Sequence, residues 1–145
     1  MIKVNIVCVG KIKEEFYRSA VAEYSKRLSR FCKLEITEIA EGRNLEEEGA
    51  AIARRAQGYV IALCVEGQRL SSEGLASRIK CLCDAGRTIT FVIGSSEGLS
   101  PSVKNAAKLK LSFSDMTFPH QLMRVILCEQ IYRAFMINGG GEYHK

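Results

Sequence analysis

The sequence predicts an α/β protein whose mainly parallel sheet of five to six strands carries helices on both faces. Along the 145 residues, β-rich runs alternate with stretches of helical periodicity, as expected when helices cross over between parallel strands. Two runs, residues 59–65 (YVIALCV) and 88–93 (TITFVI), are almost wholly apolar, which is typical of parallel strands buried on both faces. The sequence shows no linker or internal repeat, which favours one domain over residues 1–145.

The first half of the chain is predicted to contain two strands and two helices. A β-rich run that ends at Gly10 gives the first strand, and the helix after it has apolar residues every three to four positions. Three glutamates mark the start of the second helix, where the helix dipole stabilises acids. The predicted elements are a strand at 2–9, a helix at 13–30, an edge strand at 34–37 and a helix at 45–57.

The second half is predicted to add three strands and three helices. Serine, proline and glycine mark their ends, through helix capping at the start and helix termination at the end. The predicted elements are a strand at 59–65 that ends at a Glu66-Gly67 turn, a helix from Ser71 or Ser72 to Gly86, a strand at 88–93, a helix from Ser100-Pro101, a strand at 109–113 and a last helix that has Pro119 at its first position and apolar residues over 121–137.

The last predicted helix carries apolar residues around nearly its whole circumference. Such a helix is buried on two sides. One domain of this length covers a single side, so the sequence predicts a homodimer in which a second copy covers the other. Glu129 and Arg133 are four residues apart and are expected to pair. A core helix whose tail is disordered after residues 139–141 (GGG) is the alternative interpretation.

Composition favours a cytoplasmic protein without a membrane span. No apolar run approaches the roughly 20 residues of a transmembrane helix, and Lys3 interrupts the first apolar segment, so a signal peptide is not expected. The six cysteines lack the spacing of a zinc pair or a redox C-x-x-C motif, which indicates reduced thiols. The net charge of +5 is concentrated at the two ends of the chain. Such a bias suits phosphate binding, although a solvated face is its commoner cause.

Three strand ends are candidate ligand-binding segments, because ligands of open α/β sheets bind beyond the carboxyl ends of the strands. They are the residues after Leu63, the loop from Gly94 and the loop from Phe113. The chain lacks both the G-x-G-x-x-G motif and the P-loop motif, which disfavours a dinucleotide site and a P-loop site. His120 and His144 have no identifiable nucleophile or metal ligands beside them in the sequence. The residues alone therefore predict a small-ligand site, with no metal.

Several blocks of the sequence are more specific, above all the MTFPH segment and the YHK end. The blocks are residues 67–76 (GQRLSSEGLA), 91–94 (FVIG), 111–124 (LSFSDMTFPHQLMR), 129–135 (EQIYRAF) and 143–145 (YHK). Together they closely resemble the large-subunit ribosomal RNA methyltransferase H family, small SPOUT-class enzymes that use S-adenosylmethionine. The resemblance extends over essentially the whole chain. It departs from the family at Ser95, where a second glycine usually follows Gly94.

The resemblance implies a homodimer whose C-terminal part forms a trefoil knot that holds S-adenosylmethionine. Topology rules alone would argue against a knot. In the family, three segments bind the methyl donor. On this chain the implied donor-binding residues are Leu63, Gly94, Phe113, Ser114, Asp115, Met116, Thr117 and Phe118.

The implied reaction is methylation of ring nitrogen 3 of a pseudouridine in 23S rRNA of the assembled ribosome. Such a reaction requires the methyl to be placed in line with that nitrogen, which must also lose a proton. Tyr143 and His144 of one subunit are expected to complete the catalytic site of the other, with His144 a candidate base. Arg124 is a further catalytic candidate, and Arg133 and Lys145 are candidate RNA contacts. Arg124 and Arg133 are expected to meet RNA phosphate or to hold the tail.

Three alternatives stay open from the sequence. A SPOUT methyltransferase acting on tRNA is disfavoured by the Tyr-His-Lys end. A non-catalytic ribosome-binding factor would bind S-adenosylmethionine without methyl transfer, and a flavodoxin-like module would bind a flavin.

Overall fold

Five parallel strands form the sheet, and helices alternate with them along the chain. The computed structural model describes residues 1–144. The strands are β1 (Lys3–Val9), β2 (Lys33–Ile39), β3 (Tyr59–Arg69), β4 (Ile89–Ile93) and β5 (Leu109–Ser112), and the helices are α1 (Glu15–Leu28), α2 (Leu45–Arg55), α3 (Ser72–Asp84), α4 (Pro101–Ala106) and α5 (His120–Asn138). The strand order is β2-β1-β4-β3-β5, and each neighbouring pair is parallel. The predicted α/β class, element order and parallel sheet are confirmed, as is the edge position of β2.

The sheet separates two hydrophobic cores. On one face, Val4 and Ile6 of β1 pack in a cluster that includes residues of α1, α3 and α5. On the other face, Val7 packs with Ile52 of α2 and Val103 of α4. Successive strand residues point to opposite faces, so β1 is apolar along most of its length because both of its faces are buried.

Strand β3 is longer than predicted and contains a bulge. The predicted turn at residues 66–67 is wrong, because the strand continues through them. Leu111 of β5 is in register with both Leu63 and Gln68, so the residues between these two bulge out of the ladder. A Cβ on Gly67 would lie 2.7 Å from backbone atoms of β5. The glycine therefore permits a close approach of two backbones and does not mark a chain reversal.

Helix starts follow the predicted capping residues with one exception. The side chains of Ser71 and Ser100 accept hydrogen bonds from the backbone N–H groups of Gly74 and Val103. These bonds satisfy donors that have no partner within the helix. The prediction for α5 is wrong by one residue, since Pro119 is the N-cap with ψ 135° and the helix begins at the next position.

Membrane, metal and disulfide features can be stated for the described part of the chain. None of its helices is long and apolar enough to cross a membrane. No group of three or more His, Cys, Asp or Glu side chains within residues 1–144 could hold a metal ion. All six cysteines are free thiols.

Three buried thiols make the free energy of unfolding fall as the pH rises into the alkaline range. Burial raises the pKa of Cys8 to about 11 and the pKa values of Cys32 and Cys128 to about 12, from 9.0. The unfolded chain therefore loses these protons first as pH rises. The stabilisation that these three pKa shifts provide is complete below about pH 9 and is lost as pH rises towards 11 to 12. Each thiol lowers the free energy of unfolding by at most about 1.4 kcal/mol per pH unit in this range.

We expect urea unfolding between pH 8 and 11 to show a shallower fall in the free energy of unfolding for Cys128→Ala than for the unchanged protein. Cys81→Ala is the matched control, because this thiol is exposed. A Cys128→Ala slope equal to that of the unchanged protein would contradict the pKa assignment.

Candidate functional site

A pocket of about 640 Å³ lies beyond the carboxyl ends of β4 and β5 and beside the bulge of β3. Its walls are the bulged part of β3, the loop after β4, the loop between β5 and α5, and the first turn of α5. The carboxyl edge of an open parallel sheet is where ligands of α/β proteins bind. The volume falls within the roughly 300–1,000 Å³ of small-molecule sites.

Seven of the eight predicted donor-binding residues line this pocket. They are Leu63, Gly94, Phe113, Ser114, Met116, Thr117 and Phe118. The eighth, Asp115, is not in the lining; its exposed carboxylate pairs with Arg69. The three segments chosen from the sequence thus meet at one cavity, although Leu63 lies within β3 and not at its end, and their role in donor binding stays a prediction.

Three charged residues of the pocket, Glu66, Glu97 and Lys104, were missed by sequence reasoning. Lys104 of α4 donates to Glu66 across 2.5 Å, and this hydrogen bond holds the pKa of the Glu66 carboxyl below its usual range. Glu66 faces the pocket because it lies in the β3 bulge, which depends on pairing with a strand that comes later in the chain. No local sequence signal reveals that geometry.

The loop after β4 is held from behind by Glu48, a buried carboxylate of α2. Ser95 Oγ donates to Glu48 Oε1 at 3.2 Å, and the Gly42 N–H donates to Glu48 Oε2 at 3.1 Å. Ser95 Oγ also accepts from the Glu97 N–H at 3.3 Å. The serine that departs from the family pattern therefore adds an anchor to the loop.

Arg124 does not fit its predicted role. The side chain is 1% exposed and is absent from the pocket lining. Its Nη1 donates to Glu38 Oε2 at 2.7 Å and its Nη2 donates to the Gly10 carbonyl at 3.0 Å. Glu38 Oε2 also accepts from the Ile12 N–H at 3.3 Å. Arg124 therefore lies on the buried side of α5 and ties that helix to the ends of β1 and β2, where it is shielded from RNA and bonded to neither Tyr143 nor His144.

The end of the described chain folds back along α5. Arg133 donates to Glu129 at 2.8 Å, as the spacing predicts, and Tyr143 Oη donates to the same carboxylate at 2.9 Å. His144 Nδ1 lies 2.9 Å from Arg133 Nη1, and Nε2 lies 2.9 Å from Glu73 Oε1. Arginine can only donate, so Nδ1 accepts and Nε2–H donates. The tail is held by its own chain.

The predicted catalytic pair lies apart from the pocket of the same chain, since neither Tyr143 nor His144 is in its lining. Burial, together with the hydrogen bond to Glu129, raises the pKa of Tyr143 to about 12. This phenol is therefore neutral near pH 7 and donates a proton in its hydrogen bond. Arg133 holds the tail, with its guanidinium 4.8 Å from the centre of the Tyr143 ring. Lys145 lies outside the described residues.

A second cavity of about 260 Å³ extends from the pocket towards the tail. Phe113 and Phe118 line both cavities. At the far end, Ser72 donates to Gln130 at 2.7 Å, and Gln130 donates to Glu129 at 2.8 Å. The second cavity therefore shares two aromatic walls with the main pocket, and Gln130 at its other end is bonded to the carboxylate that holds the tail.

Comparison with known proteins identifies the family. Residues 2–144 match the family model described as "Predicted SPOUT methyltransferase". The chain belongs to the SPOUT methyltransferase family. This SPOUT methyltransferase is 49% identical over 158 aligned positions to the ribosomal RNA large subunit methyltransferase H of Bifidobacterium adolescentis, covering 99% of each chain. It is 50% identical over 157 positions to the protein of that name from Clostridium novyi, covering 98% of this chain and 99% of the relative. The resemblance seen in the sequence is confirmed.

Solved structures share the fold at low sequence identity. A probable methylase family protein from Haemophilus influenzae superposes with a TM-score of 0.62 and 12% identity, covering all of this chain and 72% of its own. The SpoU methyltransferase AviRb from Streptomyces viridochromogenes, solved with the cofactor AdoMet, gives 0.52 and 9%, covering 97% of this chain and 59% of its own. At these identities the likeness establishes the SPOUT fold alone.

We expect Arg124→Met to lower the free energy of unfolding by about 2–4 kcal/mol, because a buried hydrogen-bonded cation is removed and Glu38 loses its partner. Chemical denaturation measures the loss. Arg27→Met is the matched control, since it breaks an exposed pair with Glu23 and should cost much less. Equal losses in the two variants would show that the buried ion pair of Arg124 stabilises the fold no more than an exposed ion pair does.

We expect Gly94→Ala to weaken S-adenosylmethionine binding about tenfold or more, because a Cβ at this position would lie 2.3 Å from the Gly98 carbonyl oxygen and would displace the loop. Isothermal titration calorimetry measures the dissociation constant. Ser95→Gly removes one anchor from the same loop and should have a smaller effect. An unchanged dissociation constant for Gly94→Ala would mean that this loop does not contact the donor.

Proposed function

We propose that this SPOUT methyltransferase moves a methyl group from S-adenosylmethionine to ring nitrogen 3 of a pseudouridine in 23S rRNA, within the assembled ribosome of the cytoplasm. The observation that carries the proposal is the near-complete alignment, at 49–50% identity, with proteins named for methylation of large-subunit ribosomal RNA. The substrate nitrogen and the assembled ribosome come from the family that the motifs resemble.

The pocket has the character that S-adenosylmethionine requires. Leu63, Phe113 and Met116 provide apolar surface for an adenosyl group, and the Gly94 loop allows a backbone approach. Glu66 provides a carboxylate at the same pocket for the cationic part of the donor. When bound, S-adenosylmethionine supplies an electrophilic methyl on a positively charged sulfur.

The chain's own contribution is orientation and proton removal. The three pocket segments hold the donor so that the methyl faces the incoming ring nitrogen. A nitrogen–carbon bond forms as the carbon–sulfur bond breaks, and the proton of that nitrogen leaves to a base or to water. His144 is the proposed base. In the described conformation its Nδ1 is occupied by Arg133, so this contact must open or be exchanged before Nδ1 can accept a proton.

In the proposed homodimer, the tail of one subunit lies at the pocket of the other. We propose that one SPOUT domain over residues 1–145, with a C-terminal knot, pairs with a second copy along the apolar surface of α5, and that Tyr143 and His144 of one subunit complete the pocket of the other. The proposal is supported by the distribution of apolar residues around α5, and by the absence of both tail residues from the pocket of their own chain. Arg133 then guides the tail, and Lys145 and Arg133 are the proposed RNA contacts.

Transfer of labelled methyl to intact ribosomes that lack the modification, followed by mass mapping of 23S rRNA, tests the reaction. We expect label on a single pseudouridine. Label on tRNA would assign the enzyme to another substrate, and tight donor binding without any transfer would indicate a non-catalytic ribosome-binding factor.

Mixed dimers in the same assay test the tail. At an S-adenosylmethionine concentration well below the dissociation constant of Gly94→Ala, His144→Ala and Gly94→Ala should each have little activity alone, one for lack of the base and one for weak donor binding. If the tail acts across the dimer, mixing restores roughly a quarter of the sites, because half of the dimers are mixed and each has one complete site. If the tail acts within its own chain, mixing restores nothing.

A further inference from the structure

Four large apolar side chains of the described chain are exposed, and two of them lie at the main pocket. They are Met1, Phe16, Val65 and Met116, with exposures of 84%, 66%, 45% and 72%. Val65 and Met116 line the main pocket. Phe16 lies in the first turn of α1, outside the pocket. Phe16 is therefore a large exposed ring that the pocket does not account for.

The segment that presents Phe16 is held rigidly. Arg18 Nη1 donates to the carbonyl oxygens of Ile12 and Lys13 at 3.2 and 3.1 Å, and Arg18 Nη2 pairs with Glu15 at 2.7 Å. The Lys13 N–H donates to Gln121 Oε1 at 3.2 Å, which fixes the loop to the start of α5. The first turn of α1 therefore presents its side chains from a pre-organised backbone.

The same segment adjoins the pocket. His120 lines the pocket wall and precedes Gln121, the residue that holds the loop. A Cβ on Gly10, at the start of the loop, would lie 3.8 Å from His120 Nε2. A polymer whose reacting unit enters the pocket past His120 would therefore run close to the first turn of α1.

Two lysines beside this turn can contact phosphate, and two carboxylates lie near them. Lys11 and Lys13 are exposed and form no ion pair within residues 1–144. Glu14 is exposed beside them, and the Glu41 carboxylate lies 3.5 Å from where a Cβ on Gly10 would be. Lysine and glutamate are depleted at the cores of protein–protein interfaces, which disfavours a second copy of the chain as the occupant.

We propose that Phe16 and Tyr17 form a stacking platform for an unpaired base of the RNA substrate beside the target nucleotide, with Lys11 and Lys13 on the adjoining phosphates. The two ring centroids are 4.4 Å apart and the planes are tilted by 57°, which leaves the largely exposed Phe16 ring available to a base. Proteins bind RNA loops by stacking splayed bases on aromatic rings. The proposal rests on the proposed function, because it takes the adjoining pocket to be the methyl-donor site.

Steady-state methyl transfer with ribosomes as substrate tests the platform. We expect Phe16→Ala to raise KM for ribosomes about tenfold, the loss of one stacked base, while kcat and the calorimetric affinity for S-adenosylmethionine stay within about twofold. Phe16→Trp should restore KM. Lys13→Gln should raise KM less and weaken its dependence on salt, because one phosphate contact is lost. Lys33→Gln is the matched control, an exposed lysine at the amino end of β2, away from the pocket edge.

Two results would overturn the platform. One is a Phe16→Ala enzyme with unchanged KM for ribosomes. The other is a Phe16→Ala chain that changes its oligomeric state in light scattering, which would assign the surface to contact between copies. If the unchanged protein transfers no methyl, the proposed function fails on its own. Binding of a fluorescent 23S stem-loop then tests whether Phe16 stacks on RNA. Equal RNA affinities of the unchanged and Phe16→Ala proteins would reject the platform.

Discussion

The buried guanidinium of Arg124 is the contact on which the arrangement of the site depends. A buried cation is tolerated only when hydrogen-bond acceptors face it, and here the Glu38 carboxylate and the Gly10 carbonyl accept from Nη1 and Nη2, while Nε has no partner. To make both bonds, α5 must begin where β1 and β2 end. That position turns His120 towards the main pocket and places the same turn against the loop that leads to Phe16. One interior charge therefore determines the wall of the pocket and the surface beside it.

The sheet and most of the pocket lining could be predicted because their signals are local. Apolar runs such as residues 88–93 identify strands without reference to the rest of the chain, and glycine at position 94 marks the loop that follows. Parallel strands bring their carboxyl ends to one edge, so three separate segments converge once the alternation of strands and helices is recognised. The family motifs then supplied the chemical identity, which periodicity and charge do not contain.

The features that escaped prediction arise from contacts between distant segments. Glu66 faces the pocket only because β3 bulges against β5. Arg124 can be buried only because Glu38, near the end of β2, accepts a hydrogen bond from its guanidinium. A tail disordered after the three glycines was the alternative interpretation, yet Tyr143 returns to α5 and donates to Glu129. A tail that completes the site of a partner subunit must therefore give up hydrogen bonds within its own chain. The free energy cost of moving the tail is small only if the partner subunit offers equivalent acceptors.

The strand order has a consequence for how the chain is made. Strand β4 lies between β1 and β3 in the sheet but follows both in the sequence. During synthesis β1 can pair with β2 at once, whereas β3 has no neighbour until β4 leaves the ribosome, and its second neighbour, β5, comes later still. An apolar strand without partners is a template for aggregation, and long-range pairing slows folding. The nascent chain must therefore keep β3 away from other chains for as long as translation takes to reach the strand that completes the centre of the sheet.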